Sequence, residues 1–421
     1  MQSLDNKYPP LPVYFLPFLA TISALSPLSI DAYLPAFPMI AKDFGVNPLD
    51  VNFTMSTYLV GLALGQLLGG PISDQIGRKR IGLLGLSIYF SFTLLILFSS
   101  SLMQLSVLRA FQALGGGMAS SIVMATIRDV SAPEKAASRI AVMVLFMLLA
   151  PMAAPVIGVL LMEFGWRFIF GFLWVYSGVV TVVYFFGFKE TRISETKRPD
   201  FLKIFEQYKA VLDHRLEGQK LPIKYAVSSG LCIAIMMIYL TNASFMFQTY
   251  YAVSESMFVM LFVINVCAFA AGQSFSVYYL RGLSLEKTAR YFRLGQHLQL
   301  ASTLVWFISV LVFDPPLWYS MILLGLSVSC IGLVGPSGQG VYLAAFSKLS
   351  GSAAAIFSVG MFIFGSIVGA ISGLFRTGDL VPLCAALFGT TLVANLIVLS
   401  ISRAKETRVM EKISRGEIEP L

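Results

Sequence analysis

The sequence predicts an all-α membrane protein with twelve transmembrane helices in two pseudo-symmetric six-helix bundles. Three observations carry this. Of the 421 residues, 57% are hydrophobic and only 12% charged, against roughly 25% charged in a soluble domain, and so much apolar surface has no water-soluble core to enter. Apolar runs recur along the whole length, each close to the ~20 residues that cross a bilayer as a helix. One long polar stretch, 188–223, divides those runs six and six. A β-barrel would instead alternate over short segments, and no such segments are evident.

The expected spans are 13–37, 51–71, 81–100, 102–127, 138–162, 167–187, 224–250, 257–279, 289–312, 316–343, 353–375 and 380–402. The opening MQSLDNKYPPLP has one lysine, several prolines and no small-residue cleavage site. The run behind it is therefore read as a retained first helix rather than a secretory signal. Orientation follows from the excess of Lys and Arg in cytoplasmic loops. With the N-terminus inside, 26 of the 30 Lys and Arg fall on the cytoplasmic side; the exceptions are Lys42, Arg109, Arg167 and Arg376. Both termini are thus expected in the cytoplasm. The net charge of +8 is a topology signal and points to no nucleic-acid partner.

The implied organisation is a first bundle over 1–187, a cytoplasmic linker over 188–223, a second bundle over 224–402 and a cytoplasmic tail over 403–421. Within the linker, Phe201, Ile204, Phe205, Tyr208, Val211 and Leu212 share one helical face, with Lys203, Glu206 and Lys209 opposite. This predicts a short amphipathic helix on the inner membrane surface. The second span carries Gly61, Gly65 and Gly69, and the eleventh carries Gly365, Gly369 and Gly373. Such ladders admit close backbone approach in lipid, and these two are expected to meet between the halves.

Two charges stand out because they lie inside spans. Asp31 is the only charge between Lys7 and Lys42, and Arg109 lies in the fourth span. An ionisable residue there costs about 2.5–3.5 kcal/mol on insertion scales, so it faces a partner or a wet cavity. By helical rise, Asp31 sits roughly 9 Å and Arg109 roughly 11 Å from the outer face. They are expected to pair, and Asp31 is the leading candidate for a proton carrier. The other acids lie at the membrane surfaces or in loops. The four cysteines, Cys232, Cys267, Cys330 and Cys384, form no CxxC pair and read as inert thiols. His214 and His297 have no ligand partners at metal spacing. No metal and no cofactor are expected. A nucleotide loop of the GxxxxGKS type is absent too, which argues against an enzyme and against ATP drive.

The motifs then point to a family. GGPISDQIGRKR at 69–80 resembles the loop signature of the major facilitator superfamily through Gly70, Asp74, Gly77, Arg78 and Lys79. LRAFQALGG in the fourth span resembles a second signature through Arg109, Gln112 and Gly115. APMAAPVIGV in the fifth resembles the antiporter motif through Pro155 and Gly158, with Ala154 in place of its first glycine and Val159 in place of its last. Trp166-Arg167 before the sixth span also fits. SIDAYLPAFP, LAPMAAPVIG and Arg128-Asp129 resemble the Bcr/CflA branch of twelve-helix drug:proton antiporters. The likeness covers about residues 13–402 and is sharper in the first half; the loop YYLRGLSLEKTAR after the eighth span lacks the signature's Asp and paired glycines.

This resemblance implies a transporter of the bacterial inner membrane, coupling export of small organic compounds to inward proton flow by alternating access. It implies proton coupling at Asp31 and Arg109, and a cytoplasmic gate of Gly70, Asp74, Gly77, Arg78, Lys79, Arg128 and Asp129, in which Asp74, Arg78 and Asp129 clasp by charge-assisted hydrogen bonds. Pro151 and Pro155 each remove a helical hydrogen bond and, with Gly158, form a hinge. Tyr58, Gln112, Asn242, Phe245, Gln248 and Asn265 are candidates for a mostly apolar substrate cavity, suited to a moderately lipophilic, uncharged or zwitterionic compound. The expected partners are that compound, protons and the lipid bilayer, with the chain a monomer. Ser23 stands where some multidrug relatives have a second acid. A dedicated exporter of one metabolite, such as a siderophore or sugar, and a membrane receptor on the same scaffold are the alternatives.

Overall fold

The computed structural model describes residues 12, 14–131, 133–191, 199–280, 283–346, 349–375, 378–414, 417 and 421. Among them the regular elements are all helical, beside one isolated bridge between Leu216 and Gln219. Among the described residues, eleven helices are long and apolar enough to cross a membrane, and they coincide with eleven of the expected spans. The expected fifth span, 138–162, lies within a helix Pro133–Met162, of which Leu149–Met162 is the apolar part among the described residues. The chain is a multi-pass membrane protein that divides into two compact units, Met1–Phe201 and Leu202–Leu421.

In the first unit the opening span is broken. Helix α1 runs Phe15–Asp31, a 3₁₀ turn covers Leu34–Ala36, and α2 runs Phe37–Phe44. Pro35 has no N–H to offer the Asp31 carbonyl four residues back, so the α-helix stops at Asp31. Gly45, at φ 65°, ends α2 in the left-handed conformation that suits glycine. Asn47 then caps α3 (Pro48–Ile76), its side chain accepting the Leu49 N–H at 2.9 Å while Asp50 accepts the Asn47 N–H at 3.3 Å. Next come α4 (Arg78–Ile96), α5 (Leu102–Asp129), α6 (Pro133–Met162) and α7 (Arg167–Gly187).

The second unit holds α8 (Phe201–Asp213, from Leu202 on), α9 (Leu221–Ser244) with a π-helical turn at Phe245–Tyr250, α10 (Glu255–Tyr279), α11 (Leu285–Val312), α12 (Leu317–Leu343), α13 (Ser350–Leu374), α14 (Val381–Leu399) and α15 (Arg403–Ser414). Each unit packs its spans in the same way. In the first, α3 and α4 pack on α5, α1 packs on α6 and α4 on α7. In the second, the corresponding pairs are α10 and α11 on α12, α9 on α13 and α11 on α14. The shared plan is two copies of one six-helix arrangement.

The glycine ladders serve this internal packing. A Cβ on Gly61 would lie 2.0 Å from the Ala110 carbonyl oxygen, and one on Gly65 2.2 Å from that of Leu114. Both faces are therefore closed against α5. Gly365 and Gly369 face Met237 and Thr241 of α9. The expectation that the two ladders meet each other is corrected: each is occupied inside its own unit. Gly373 lies outside the residues whose side chains are described.

Parts of the linker and of the tail pack against the second unit. Ile204 and Val211 of α8 are buried in it, and Gln207 receives a hydrogen bond from Ser352 at 3.4 Å. The tail forms α15, with Val409 and Met410 in the same apolar core as Tyr225, Phe292 and Val398. Its Glu406 makes a buried ion pair with Arg293 of α11 at 2.5 Å and accepts a hydrogen bond from the Tyr225 hydroxyl.

Candidate functional site

Asp31 and Arg109 are both buried in the first unit, Asp31 3% and Arg109 0% exposed, but the expected ion pair between them is not formed. Instead Arg109 lies in an aromatic cage. Its guanidinium carbon is 4.1 Å from the Tyr58 ring centre, 4.5 Å from that of Tyr33 and 5.6 Å from that of Phe170. A cation desolvated against ring faces gains about 2 kcal/mol or more, and this cage takes the place of a carboxylate. Its Nη1 donates to Gln112 Oε1 at 3.0 Å, while Nε and Nη2 have no acceptor among the described residues. Asp31 has no hydrogen bond or ion pair among them either. The two ionisable side chains are thus held in one unit without pairing to each other.

A chain of hydrogen bonds braces the site. Gln112 Nε2 donates to Thr93 Oγ1 at 2.8 Å, and Thr93 donates to the Tyr89 carbonyl at 2.6 Å. The Tyr89 hydroxyl bonds Ser29, two residues before Asp31. Tyr33 is fixed by its hydroxyl against Thr54 Oγ1 at 2.7 Å and by edge packing on Phe170. Gln112 is therefore hydrogen-bonded at both ends of its amide and supports Arg109. Gly158 places α6 against the same spot: a Cβ there would lie 2.1 Å from the Ala32 carbonyl oxygen, one residue past Asp31. Pro151 and Pro155 fall within an α6 that is assigned as one continuous helix.

At the other end of these spans the loop signature forms a compact clasp. Arg78 is buried and bonds Asp74 at 2.6 Å, Asp129 at 2.9 Å and Ser73 Oγ at 2.6 Å. Glu190 completes it, a residue that sequence reasoning missed. Its carboxylate accepts the backbone N–H groups of Arg78 at 2.8 Å and Lys79 at 3.1 Å, capping the start of α4. Gly77 makes room for this, since its φ is 106° and a Cβ would lie 2.4 Å from the Glu190 carboxylate. Glu190 is 112 residues from Arg78, so no local spacing announces it. Two expected gate members stand apart. Arg128 is exposed and turns its Nε to the Met124 carbonyl of its own helix at 3.4 Å. A Cβ on Gly70 would meet nothing within 4 Å, so close packing does not require that glycine.

Of the remaining cavity candidates, Tyr58 is the closest ring of the Arg109 cage, and the others lie in the second unit. Asn242 is buried and ties α9 to α13, its amide donating to Ser372 Oγ at 3.0 Å and to the Ile238 carbonyl at 2.9 Å. Phe245 and Gln248 sit in the π-helical turn, where Gln248 accepts from Ser244 Oγ at 2.7 Å. Single π turns concentrate at functional positions, but nothing in the sequence marks this one. Asn265 donates to the Leu261 carbonyl at 3.0 Å, while its buried Oδ1 has no partner among the described residues.

Comparison with known proteins agrees with this architecture. The Pseudomonas aeruginosa "Chloramphenicol resistance protein" is 28% identical, covering 92% of this chain and 92% of that one. The Haemophilus influenzae "Bicyclomycin resistance protein homolog" is 25% identical, covering 88% of this chain and 91% of the relative. The crystal structure of the peptide transporter POT in complex with sulfate superposes with a TM-score of 0.72 at 14% identity, covering 98% of this chain and 99% of that one. Residues 19–402 match the Major Facilitator Superfamily profile, and the chain belongs to that superfamily of membrane transporters.

Proposed function

We propose that this transporter is a proton-driven exporter of small organic compounds of the chloramphenicol and bicyclomycin type, working by alternating access in the bacterial inner membrane with both termini cytoplasmic. The observation that carries the reading is a buried Asp31 with no hydrogen-bond or ion-pair partner among the described residues, in the same unit as a caged Arg109. A buried carboxylate without a counter-ion is most cheaply held as the neutral acid, so this arrangement suits a proton-loaded state. Loss of the proton would leave an anion, and the Nε and Nη2 of Arg109, which have no acceptor among the described residues, offer it a counter-charge. Pairing them would draw Asp31 and the break behind it toward α5. The names of the relatives support a drug-type substrate, and the resemblance to antiporters supports the direction of proton flow. The same reading takes the chain to act as a monomer.

The Asp31→Asn variant tests it. In everted vesicles energised by a pH gradient, drug uptake should fall to the background of vesicles without the protein, while the amount of folded protein stays near that of the parent. Normal gradient-driven uptake would remove Asp31 as the carrier. The first span has Ser23 and no second acid, which weakens a reading as exporter of strongly cationic drugs; the alternative is a dedicated exporter of one metabolite. A susceptibility panel in an efflux-deficient host separates the two, because a dedicated exporter confers resistance to none of the chloramphenicol-like, bicyclic or cationic compounds.

A further inference from the structure

Helix α8 has two apolar edges, and the second unit uses only one. At 3.6 residues per turn, Ile204 and Val211 lie together about 60–80° to one side of Phe201, while Phe205 and Leu212 lie within about 40° on the other and Leu202 about 100° round. The first edge is buried, and His214 after the helix packs on Phe346 with ring centres 5.2 Å apart. The second edge is bare: Phe201 is 60%, Leu202 69%, Phe205 66% and Leu212 43% exposed. Four large apolar side chains on thirteen residues make a patch of the kind that marks a partner or a membrane.

Position and charge select the occupant. The helix is held at Ser352 and Phe346, the ends of spans that the Lys/Arg bias assigns to the cytoplasm. Lys209, expected opposite the apolar face, instead falls on the bare edge at about 80° from Phe201 by helical geometry, and Arg215 follows two residues after the helix. Both are exposed, and neither has an ion pair or hydrogen bond among the described residues. Unpaired cations beside exposed aromatic and leucine side chains match an anionic leaflet.

We propose that α8 is a contact for anionic phospholipid of the cytoplasmic leaflet: Phe201, Leu202, Phe205 and Leu212 enter the upper acyl region, and Lys209 and Arg215 meet headgroup phosphates. Docked to the second unit by its other edge, α8 exposes that unit to the charge of the bilayer. The inference uses the membrane orientation and is independent of the transported compound.

A depth measurement on the full-length chain tests it. The exposed Cys267 is replaced by alanine, and a nitroxide is placed at Phe205→Cys or, as control, at Glu206→Cys. Each protein is studied in nanodiscs of phosphatidylcholine with and without one-third phosphatidylglycerol. The label at 205 should collide more with oxygen than with a water-soluble nickel chelate, and the label at 206 should do the reverse. Added phosphatidylglycerol should raise the oxygen-to-nickel ratio at 205 about threefold, and Lys209→Gln with Arg215→Gln should abolish that rise. Equal nickel access at 205 and 206 would overturn the proposal. So would a lipid response unchanged by the charge substitutions, or shielding of 205 that grows with protein concentration, which would make a second copy the occupant.

Discussion

At the scale of single residues, the two in-span charges were legible and their relation was not. Asp31 and Arg109 stand out because nothing else charged lies near them in the apolar runs. Whether they touch depends on Tyr33, Tyr58 and Phe170, which come from three different spans and surround Arg109. No spacing encodes that. Gly158 was legible as part of a motif, but not as the residue that lets α6 reach the break after Asp31. This gives a prediction. Gly158→Ala puts a Cβ 2.1 Å from the Ala32 carbonyl oxygen, and neither backbone can yield as a flexible side chain would. The first-span break must shift, and overpacking of this kind costs about 1–3 kcal/mol. Gradient-driven transport should fall about tenfold or more as Asp31 is displaced, with the variant still folded by size-exclusion profile. Unaltered transport would show that the contact does not position Asp31.

At the scale of elements, helix limits follow local chemistry and their anchors do not. Pro35, Gly45 and the Asn47/Asp50 cap explain the ends of α1, α2 and α3 from neighbouring residues. The start of α4 needs Glu190, far along the chain. Glu190→Ala should remove a charged cap, lowering stability by about 0.5–2 kcal/mol and reducing the detergent melting temperature; Glu190→Asp should recover part of it. Glu406 in α15 is the parallel case in the second unit. Glu406→Gln leaves the buried Arg293 without its counter-charge, a loss of about 3–5 kcal/mol where a buried pair is broken. Replacing both partners together, as Arg293→Met with Glu406→Met, should destabilise less than Glu406→Gln alone. If the single and double variants melt alike, the pair is not what holds α15.

At the scale of the whole chain, hydropathy was enough to count the spans, since about 20 apolar residues have few other uses. The pairing of spans within each unit was not readable, because both faces of a membrane helix are apolar and the pattern does not say which meets protein. The same blindness misplaced the glycine ladders. The units also differ in a way their shared packing conceals: the first closes its charged end with a loop signature, the second with α15. Truncation after residue 402 should therefore act on one unit only. Hydrogen exchange should quicken around 225–235 and 285–300, near Tyr225 and Arg293, and stay unchanged over 70–130. Equal protection in both regions would mean that the tail is dispensable to the second unit.

The Arg293–Glu406 pair also has a consequence for the order of synthesis. Arg78 follows Asp74 by four residues, so the first unit's arginine meets a counter-charge as soon as it is made. Arg293 precedes Glu406 by 113 residues. During translation Arg293 is made with no partner for its charge, and it stays so until three more spans have followed. The second unit therefore reaches its final form late, and a chain stalled before Glu406 leaves Arg293 without the counter-charge that buries it.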